Sequence, residues 1–382
     1  MDGPRAVAVD ELPLVEELMN DVFRAPGGLA PMAFALSPRV LAPENAEHVW
    51  AVFDGGRPVA TVSYVLDQIA LEECPFLAAS LSPAATREDY RRRGLASLLL
   101  DHCLGLMRAE GVRLLIDSGD RGLYRRAGSC PGGIVWRAVL DREALPPAGD
   151  TVCRAAGPAD LPALWRLHQE ENPRFVWTED QYGRVFAAET LACALGCESH
   201  PMLVLRGGRP LAYSILLRPK DGGTTGYLQD YAGDRRALSG ALRAMTRRLG
   251  LEALEINVPF HDGLFLERLR AAGGAWQART MPGLIDLLDP VGLWSDLRPY
   301  FVRRLGENAV DRLRLTGNEE IAVSLRYGQE ALVVQDRERL VHLLFGAGDS
   351  PRPDRALPGN MRRLLASCLP IPLPWLQGLN HV

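Results

Sequence analysis

The sequence predicts a mixed α/β and α+β fold: one strand-and-helix unit used twice in tandem, then a smaller α+β segment. Three observations carry this. Glu11-Leu12-Pro13-Leu14-Val15 recurs as Asp160-Leu161-Pro162-Ala163-Leu164, and Gly55-Gly56-Arg57-Pro58-Val59-Ala60 recurs as Gly207-Gly208-Arg209-Pro210-Leu211-Ala212, at offsets of 149 and 152 residues. In both copies an amphipathic helix stops at a glycine, Gly111 or Gly250, and a strand follows. Beyond about residue 290 the texture changes to period-two runs. A chain of 382 residues also exceeds one ordinary domain. The proline-stiffened linker Leu145-Pro146-Pro147-Ala148-Gly149 and the break at Asp289-Pro290 divide it into residues 1–145, 151–289 and 290–382.

In order, Arg5 to Val9 reads as a strand and Asp10 to Phe23 as a helix, with Asp10 as N-cap and Pro13 in the first turn. Ala25-Pro26-Gly27-Gly28 ends it. Strands His48 to Phe53 and Pro58 to Leu66 are joined by Asp54-Gly55-Gly56-Arg57, a hairpin turn. A third strand spans Phe76 to Thr86. Leu95, Leu98, Leu99, His102, Cys103 and Leu106 then recur at helical spacing as one apolar stripe, and Val112 to Ile116 is a buried strand. The second copy repeats the order with a helix at Leu238 to Leu249 and a strand at Glu252 to Val258. The last segment predicts a helix at Val291 to Leu305, short strands around residues 311–315, 321–325 and 331–334, and helices at Arg337 to Phe345 and Met361 to Ala366. The tail after Leu369 has alternate prolines, which forbid a helix, and is too apolar to lie in water, so it is expected to dock.

The chemistry centres on Tyr90-Arg91-Arg92-Arg93-Gly94-Leu95-Ala96-Ser97. A helix N-terminus exposes unpaired N–H groups and a positive dipole end. Gly94 and Ala96 leave room for an anion, and Arg91, Arg92 and Arg93 add charge, as a pyrophosphate cradle requires. A solvated basic helix start has the same composition. The second copy reads Gly233-Asp234-Arg235-Arg236-Ala237-Leu238 at this place, without the glycine and with an aspartate that would repel phosphate.

The arginine step, the strand after it and Arg121-Gly122-Leu123-Tyr124-Arg125-Arg126-Ala127-Gly128 together resemble the GNAT acyl-CoA N-acyltransferases. There, Arg/Gln-x-x-Gly-x-Gly/Ala opens the coenzyme A helix, and a Tyr-x-x-x-Gly helix lies about thirty residues on. The resemblance implies acetyl-CoA as co-substrate, held by Arg91 to Ser97, by the splayed strand end Ala84, Ala85 and Thr86, and by Gly119 and Asp120. It implies Tyr124 as the group that meets the leaving thiolate. Pro83 and the alanines depart from the larger apolar residues usual in that strand. In the second copy Leu264-Phe265 replaces Leu123-Tyr124, so that copy is expected to keep the fold without the cofactor. The order of two GNAT-like units and a small α+β domain resembles the enhanced intracellular survival family, which implies a sterol-carrier-protein-like last domain and a homo-oligomer, a hexamer in that family. It also implies a C-terminal carboxylate, here that of Val382, acting as general base in the first domain.

The implied reaction is acetyl transfer to a primary amine, which must first lose a proton from an ordinary pKa of ~10.4. Asp117, Asp120 and His102 are weaker candidates than Val382 for the base. Backbone N–H groups at the third strand's end would hold the oxyanion. Giving a proton from a phenol of ordinary pKa ~10 to a thiolate of ~8.5 is uphill by about 2 kcal/mol, so hydrogen bonding by Tyr124 matters more than full transfer. Tyr124 as a half-buried core ring is the alternative. Relatives that accept aminoglycosides suggest a cationic acceptor and an acidic pocket, for which Glu72-Glu73 and Glu170-Glu171 are available. A coenzyme A-binding sensor or assembly protein is the rival reading, and a lipid site in the last domain a third.

Composition narrows the field. With 47% hydrophobic residues, 24% charged and a net charge of −4, nothing points to nucleic acid. No apolar run has membrane-spanning length and the start has no secretory pattern, so a cytoplasmic protein is expected. Seven cysteines without a Cys-x-x-Cys pair fit free thiols, with Cys193 and Cys197, spaced for adjacent helix turns, assigned to packing, and the seven histidines form no metal motif.

Overall fold

The computed structural model describes residues 1–382 apart from Ser118, Asp120, Arg121, Ala148, 319–321, 349–356, Gln377 and 380–382. The first part contains β1 (Asp2–Ala6), α1 (Leu12–Phe23), α2 (Ala33–Leu36), β2 (Val49–Asp54), β3 (Arg57–Leu71), β4 (Cys74–Thr86), α3 (Leu95–Ala109), β5 (Leu114–Asp117), α4 (Gly122–Ala127) and β6 (Ile134–Asp141). The second contains β7 (Val152–Ala155), α5 (Leu161–Gln169), β8 (Arg174–Phe175), α6 (Glu179–Ala188), α7 (Thr190–Ala194), β9 (Cys197–Arg206), β10 (Arg209–Pro219), β11 (Thr225–Gly233), α8 (Arg235–Arg248), β12 (Ala253–Pro259), α9 (Gly263–Arg270), β13 (Gln277–Thr280) and β14 (Leu284–Leu287). The third contains α10 (Pro290–Asp296), α11 (Arg298–Leu305), α12 (Glu307–Val310), β15 (Leu313–Asn318), β16 (Ala322–Tyr327), β17 (Glu330–Val334), α13 (Arg337–Phe345) and α14 (Gly359–Leu365).

The duplication is visible in the backbone. Gly55 and Gly56 have φ of 57° and 78°, and Gly207 and Gly208 have 56° and 81°, so both hairpins turn through two left-handed residues. The sheets, however, do not divide where the chain does. Among the described residues one sheet runs β1-β2-β3-β4-β5-β14, with β8 on β3, and the other runs β13-β6-β12-β11-β10-β9-β7. The first unit's last strand, β6, lies between β12 and β13, while β14 caps the edge of β5. The two units have exchanged strands.

Several expected elements moved. Helix α1 begins after a turn of 3-10 helix over Val9–Glu11, and Asp10 does not cap it; Glu11 instead accepts hydrogen bonds from Arg5 and the Ala8 N–H. In α3 the buried face is Leu95, Leu99, Leu100, Cys103, Leu104 and Met107, so the stripe is rotated from the expected one and Leu98 is exposed. Cys197 starts a strand instead of lying one helix turn from Cys193. The helix expected over Val291 to Leu305 breaks at Leu297, because Pro299 in the next turn has no N–H to continue it. The last part is a three-stranded antiparallel sheet, β15-β16-β17, with five helices around it, among the described residues. An open cleft of about 400 Å³ lies between its first two helices and β15.

The tail docks first on the last part and then on the second unit. Ile371, Leu373, Leu376 and Leu379 are buried, the Ile371 N–H donates to the Leu344 carbonyl, and the Trp375 indole donates to the Gln229 carbonyl at 2.8 Å. Among the described residues no helix is long and apolar enough to cross a membrane, and no group of three or more metal-ligating side chains is present.

Candidate acyl-transfer site

The site begins at a defect in β4. Val62 pairs with Ala84 and Tyr64 with Leu81, so two β4 residues oppose Ser63 alone. Pro83, which has no N–H to give a ladder, occupies this bulge. On the other side β4 pairs with β5 only as far as Leu81 opposite Asp117. From there β4 runs on to Thr86 along β3, and the two parallel strands part. The Arg87 N–H donates to the Val59 carbonyl on β3 at 2.9 Å. Strand groups alternate, so Ala85 also faces β3, while the N–H and C=O of Ala84 and Thr86 face the opening. The Arg91 guanidinium already reaches the Thr86 carbonyl, at 3.4 Å.

A short turn of 3-10 helix, Glu88–Tyr90, then leads to α3. Arg92 and Gly94 are both left-handed, with φ of 62° and 79°. A Cβ on Gly94 would meet nothing within 4 Å, so glycine is there for its backbone conformation and not for space. No side chain caps the helix. The first helical bond runs from the Leu98 N–H to the Gly94 carbonyl, leaving the N–H groups of Leu95, Ala96 and Ser97 to point outward. Arg91, Arg92 and Arg93 are exposed, and none pairs with a carboxylate among the described residues. Arg93 stacks on Tyr90, 4.7 Å from the ring centroid, and donates to the Asp89 carbonyl, while Tyr90 donates to Asp54 at 2.6 Å. The loop is thus braced from below and open above.

Tyr124, on α4, is 5% exposed, and what remains accessible faces a cavity of about 480 Å³. Pro83, Ala84 and Gly119 share that wall, and a Cβ on Gly119 would come within 3.9 Å of the Tyr124 ring. The opened strand and Tyr124 therefore meet at one cavity, and the uncapped helix start lies at the other end of the strand extension that forms its wall. Asp120 and Val382 fall outside the described residues. The remaining base candidates are elsewhere. His102 packs edge-on against Trp50 with centroids 4.3 Å apart. Asp117 is fully buried at the end of β5; burial pushes its carboxyl up to about 7, Ser129 opposes this, and the Asp286 carboxylate adds to it. Asp286 in turn accepts from Arg337 of α13 at 3.2 Å.

The second unit carries the same defect and has closed it. β11 bulges at Gln229 and leaves β12 after Leu228. Here the opening is taken by the tail, with Trp375 on the Gln229 carbonyl and the Gln229 amide donating to the Gly378 carbonyl at 3.4 Å. The helix start is also taken: Asp234 accepts from the Ala237 N–H at 2.7 Å, and Arg235 is clamped by Glu171 and Asp262. Phe265, 4.7 Å from the Tyr231 ring, stands where the first copy has Tyr124.

Residues 14–128 match the acetyltransferase (GNAT) family. The match ends at Gly128 and contains the strand opening, the arginine step and Tyr124. Comparison with curated protein sequences finds no match. Among solved structures the fold is similar to a GCN5-related N-acetyltransferase from Anabaena variabilis, at 10% identity, 89% coverage of each chain and a TM-score of 0.61. It is also similar to Eis1 from Mycobacterium abscessus (12% identity, 90% of this chain and 88% of that one, TM-score 0.58) and to a GCN5-related N-acetyltransferase from Kribbella flavida (17%, 87% and 81%, 0.55). At these identities the likeness is one of fold.

The GNAT-matching segment does not form the cavity alone. One side, within that segment, comes from α1 and the loop after it, with Met19, Phe23, Arg24, Leu29 and Ser37, and another, outside it, from α7 of the second unit, with Thr190 and Cys193. Sequence reasoning missed these residues: Ala25-Pro26-Gly27-Gly28 signals a helix stop and nothing about what the loop faces. The acidic pairs that were available for a cationic acceptor lie elsewhere. Glu72 pairs with Arg303 and Arg304, Glu73 with Arg303, and Glu171 with Arg235, while Glu170 lies in solvent. None lines the cavity.

Proposed function

We propose that the protein is an acetyl-CoA-dependent N-acetyltransferase acting on a primary amine, with its chemistry in residues 1–145 and the wall lent by α7. The observation that supports this most is the convergence of three features on one path: the β4 extension that leaves β5, the uncapped start of α3, and Tyr124. Pyrophosphate would lie on the Leu95, Ala96 and Ser97 N–H groups between the arginines. The pantetheine arm would run along Ala84 and Thr86, and the thioester carbonyl would accept from an N–H there. The amine nitrogen attacks the carbonyl carbon, a C–N bond forms and the C–S bond breaks. The amine's proton goes to a base, for which we propose the Val382 carboxylate, and the departing sulfur is met by the Tyr124 hydroxyl.

In this reading residues 151–289 are a non-catalytic copy, residues 290–382 are a sterol-carrier-like domain, and the chain assembles as a cytoplasmic homo-oligomer. Light scattering tests the assembly, and a monomer at micromolar concentration would count against it. The reading as a coenzyme A sensor draws on one observation, the near-complete burial of Tyr124. Thiol release from acetyl-CoA over a panel of amines decides between them: turnover of an amine supports the enzyme, and tight coenzyme A binding without turnover of any amine supports the sensor.

A further inference from the structure

The cavity beside Tyr124 also carries a signature of its acceptor, and this inference rests on the acetyltransferase reading above. Its described wall is apolar apart from Arg24, Ser37, Tyr124, Thr190 and Cys193, and contains no carboxylate. The acidic residues of α1 are engaged elsewhere: Glu16 accepts the Phe34 N–H at 3.1 Å, Glu17 pairs with Arg57 and Asp21 with Arg87. In the wall, Leu29 is 54% exposed and Phe23 partly so, and Met32 and Phe34, close to Leu29 in the chain, are exposed as well. The loop that bears them is held to α1 by Asn20, which accepts the N–H groups of Met32 and Ala33. It is thus an ordered apolar rim. Two large exposed apolar side chains in the wall, with two more beside them in the chain, mark a binding surface more than chance exposure does.

Arg24 is the one cation in this wall among the described residues. Its Nε donates to the Ala30 carbonyl and its Nη1 to the Cys193 sulfur at 3.8 Å, a weak acceptor. No carboxylate among the described residues pairs with it, and Nη2 has no partner there. A half-buried guanidinium, fixed at two nitrogens with a third free, is arranged to receive an oxyanion. A polycation would meet a like charge and no counter-charge on this wall.

We propose that the acceptor is a primary amine on an apolar body that also carries a carboxylate, the carboxylate held by Arg24 and the apolar body by the wall of α1, the loop after it and α7. An aminoglycoside or polyamine does not have this chemistry. A cavity of about 480 Å³ is within the size range of small-molecule sites.

The test compares L-phenylalanine, phenethylamine, which lacks the carboxylate, and spermidine as acceptors for acetyl-CoA in the wild-type chain, Arg24→Gln and Arg24→Lys. We expect KM for phenylalanine to be about tenfold below that for phenethylamine, and to rise about tenfold in Arg24→Gln with partial return in Arg24→Lys. The phenethylamine constants and the acetyl-CoA Kd should stay within about twofold. Calorimetric binding of N-acetyl-L-phenylalanine needs no turnover, so it separates the two readings. Loss of that binding in Arg24→Gln upholds the acceptor class even if the transfer reaction is absent. Equal binding to wild type and Arg24→Gln, preference for spermidine, or preference for octanoyl-CoA with displacement of phenylalanine would each overturn it.

Discussion

At the residue scale, Tyr124 and Gly94 separate chemistry from positioning. Replacing Tyr124 with Phe removes one hydroxyl from the cavity wall and keeps the ring. It should lower kcat by about 10²-fold while the acetyl-CoA Kd stays within about twofold, as stopped-flow thiol release and calorimetry would show. Gly94→Ala adds a methyl group that touches nothing, so its effect must come from the left-handed backbone, at a cost of about 1–2 kcal/mol. Relaxation of that strain turns the first helical N–H groups away, and the acetyl-CoA Kd should rise about tenfold with kcat at saturation nearly unchanged. Asp117 gives a pH signature. The unfolded chain gives up this proton near 3.8 and the folded protein near 7. Its stabilising contribution is therefore complete below pH about 4, falls as the pH rises, and is gone above 7. Asp117→Asn should make the protein more stable at pH 8 by on the order of 2 kcal/mol and flatten part of the decline between pH 4 and 7 in urea titrations. Asp230, buried and also raised to about 7, keeps the rest.

At the scale of elements, the two copies of one motif differ at the start of one helix. In the first, α3 starts bare behind a left-handed glycine; in the second, α8 starts on its own carboxylate. Asp234→Ala should cost about 1 kcal/mol of stability, the usual loss for an N-cap, and should still not create a coenzyme A site by calorimetry. Arg235 would stay between Glu171 and Asp262, and the tail would stay in the strand opening. This asymmetry was legible in the sequence, because a missing glycine and a gained aspartate are local facts. The arginine step, the hairpins and the helix of residues 95–109 were legible for the same reason. The bulge before Ala84 was visible only as a misplaced Pro83. What was not legible depends on contacts distant in sequence. Nothing near Glu72 announces Arg304, and Arg24 reaches Cys193 across 169 positions. The rotated face of α3 is of this kind too, since Leu98 and Leu100 are the same residue until a sheet chooses between them.

At the scale of the whole molecule, the tail has two separable duties. Residues Ile371 to Leu379 bury apolar side chains against the last part and the second unit, so truncation before Ile371 should cost on the order of 5 kcal/mol and broaden or abolish the thermal transition. Removing only His381 and Val382 leaves those contacts in place. If the terminal carboxylate is the base, this chain should melt within a few degrees of wild type and lose most of its rate.

The strand exchange has a further consequence for how the protein can be taken apart. The first half has no finished sheet of its own: without β14 the edge of β5 is bare, and β6 has no neighbour in its own half to pair with. Expressed alone, residues 1–145 would present two open edges and aggregate. A single proteolytic nick between Leu145 and Gly149 would change little, because the halves are clasped through each other's sheets and would co-elute under native conditions. Separately made halves should rescue one another when mixed during refolding. The second copy then cannot be shed in evolution as a spare part, since the first copy is built with one of its strands.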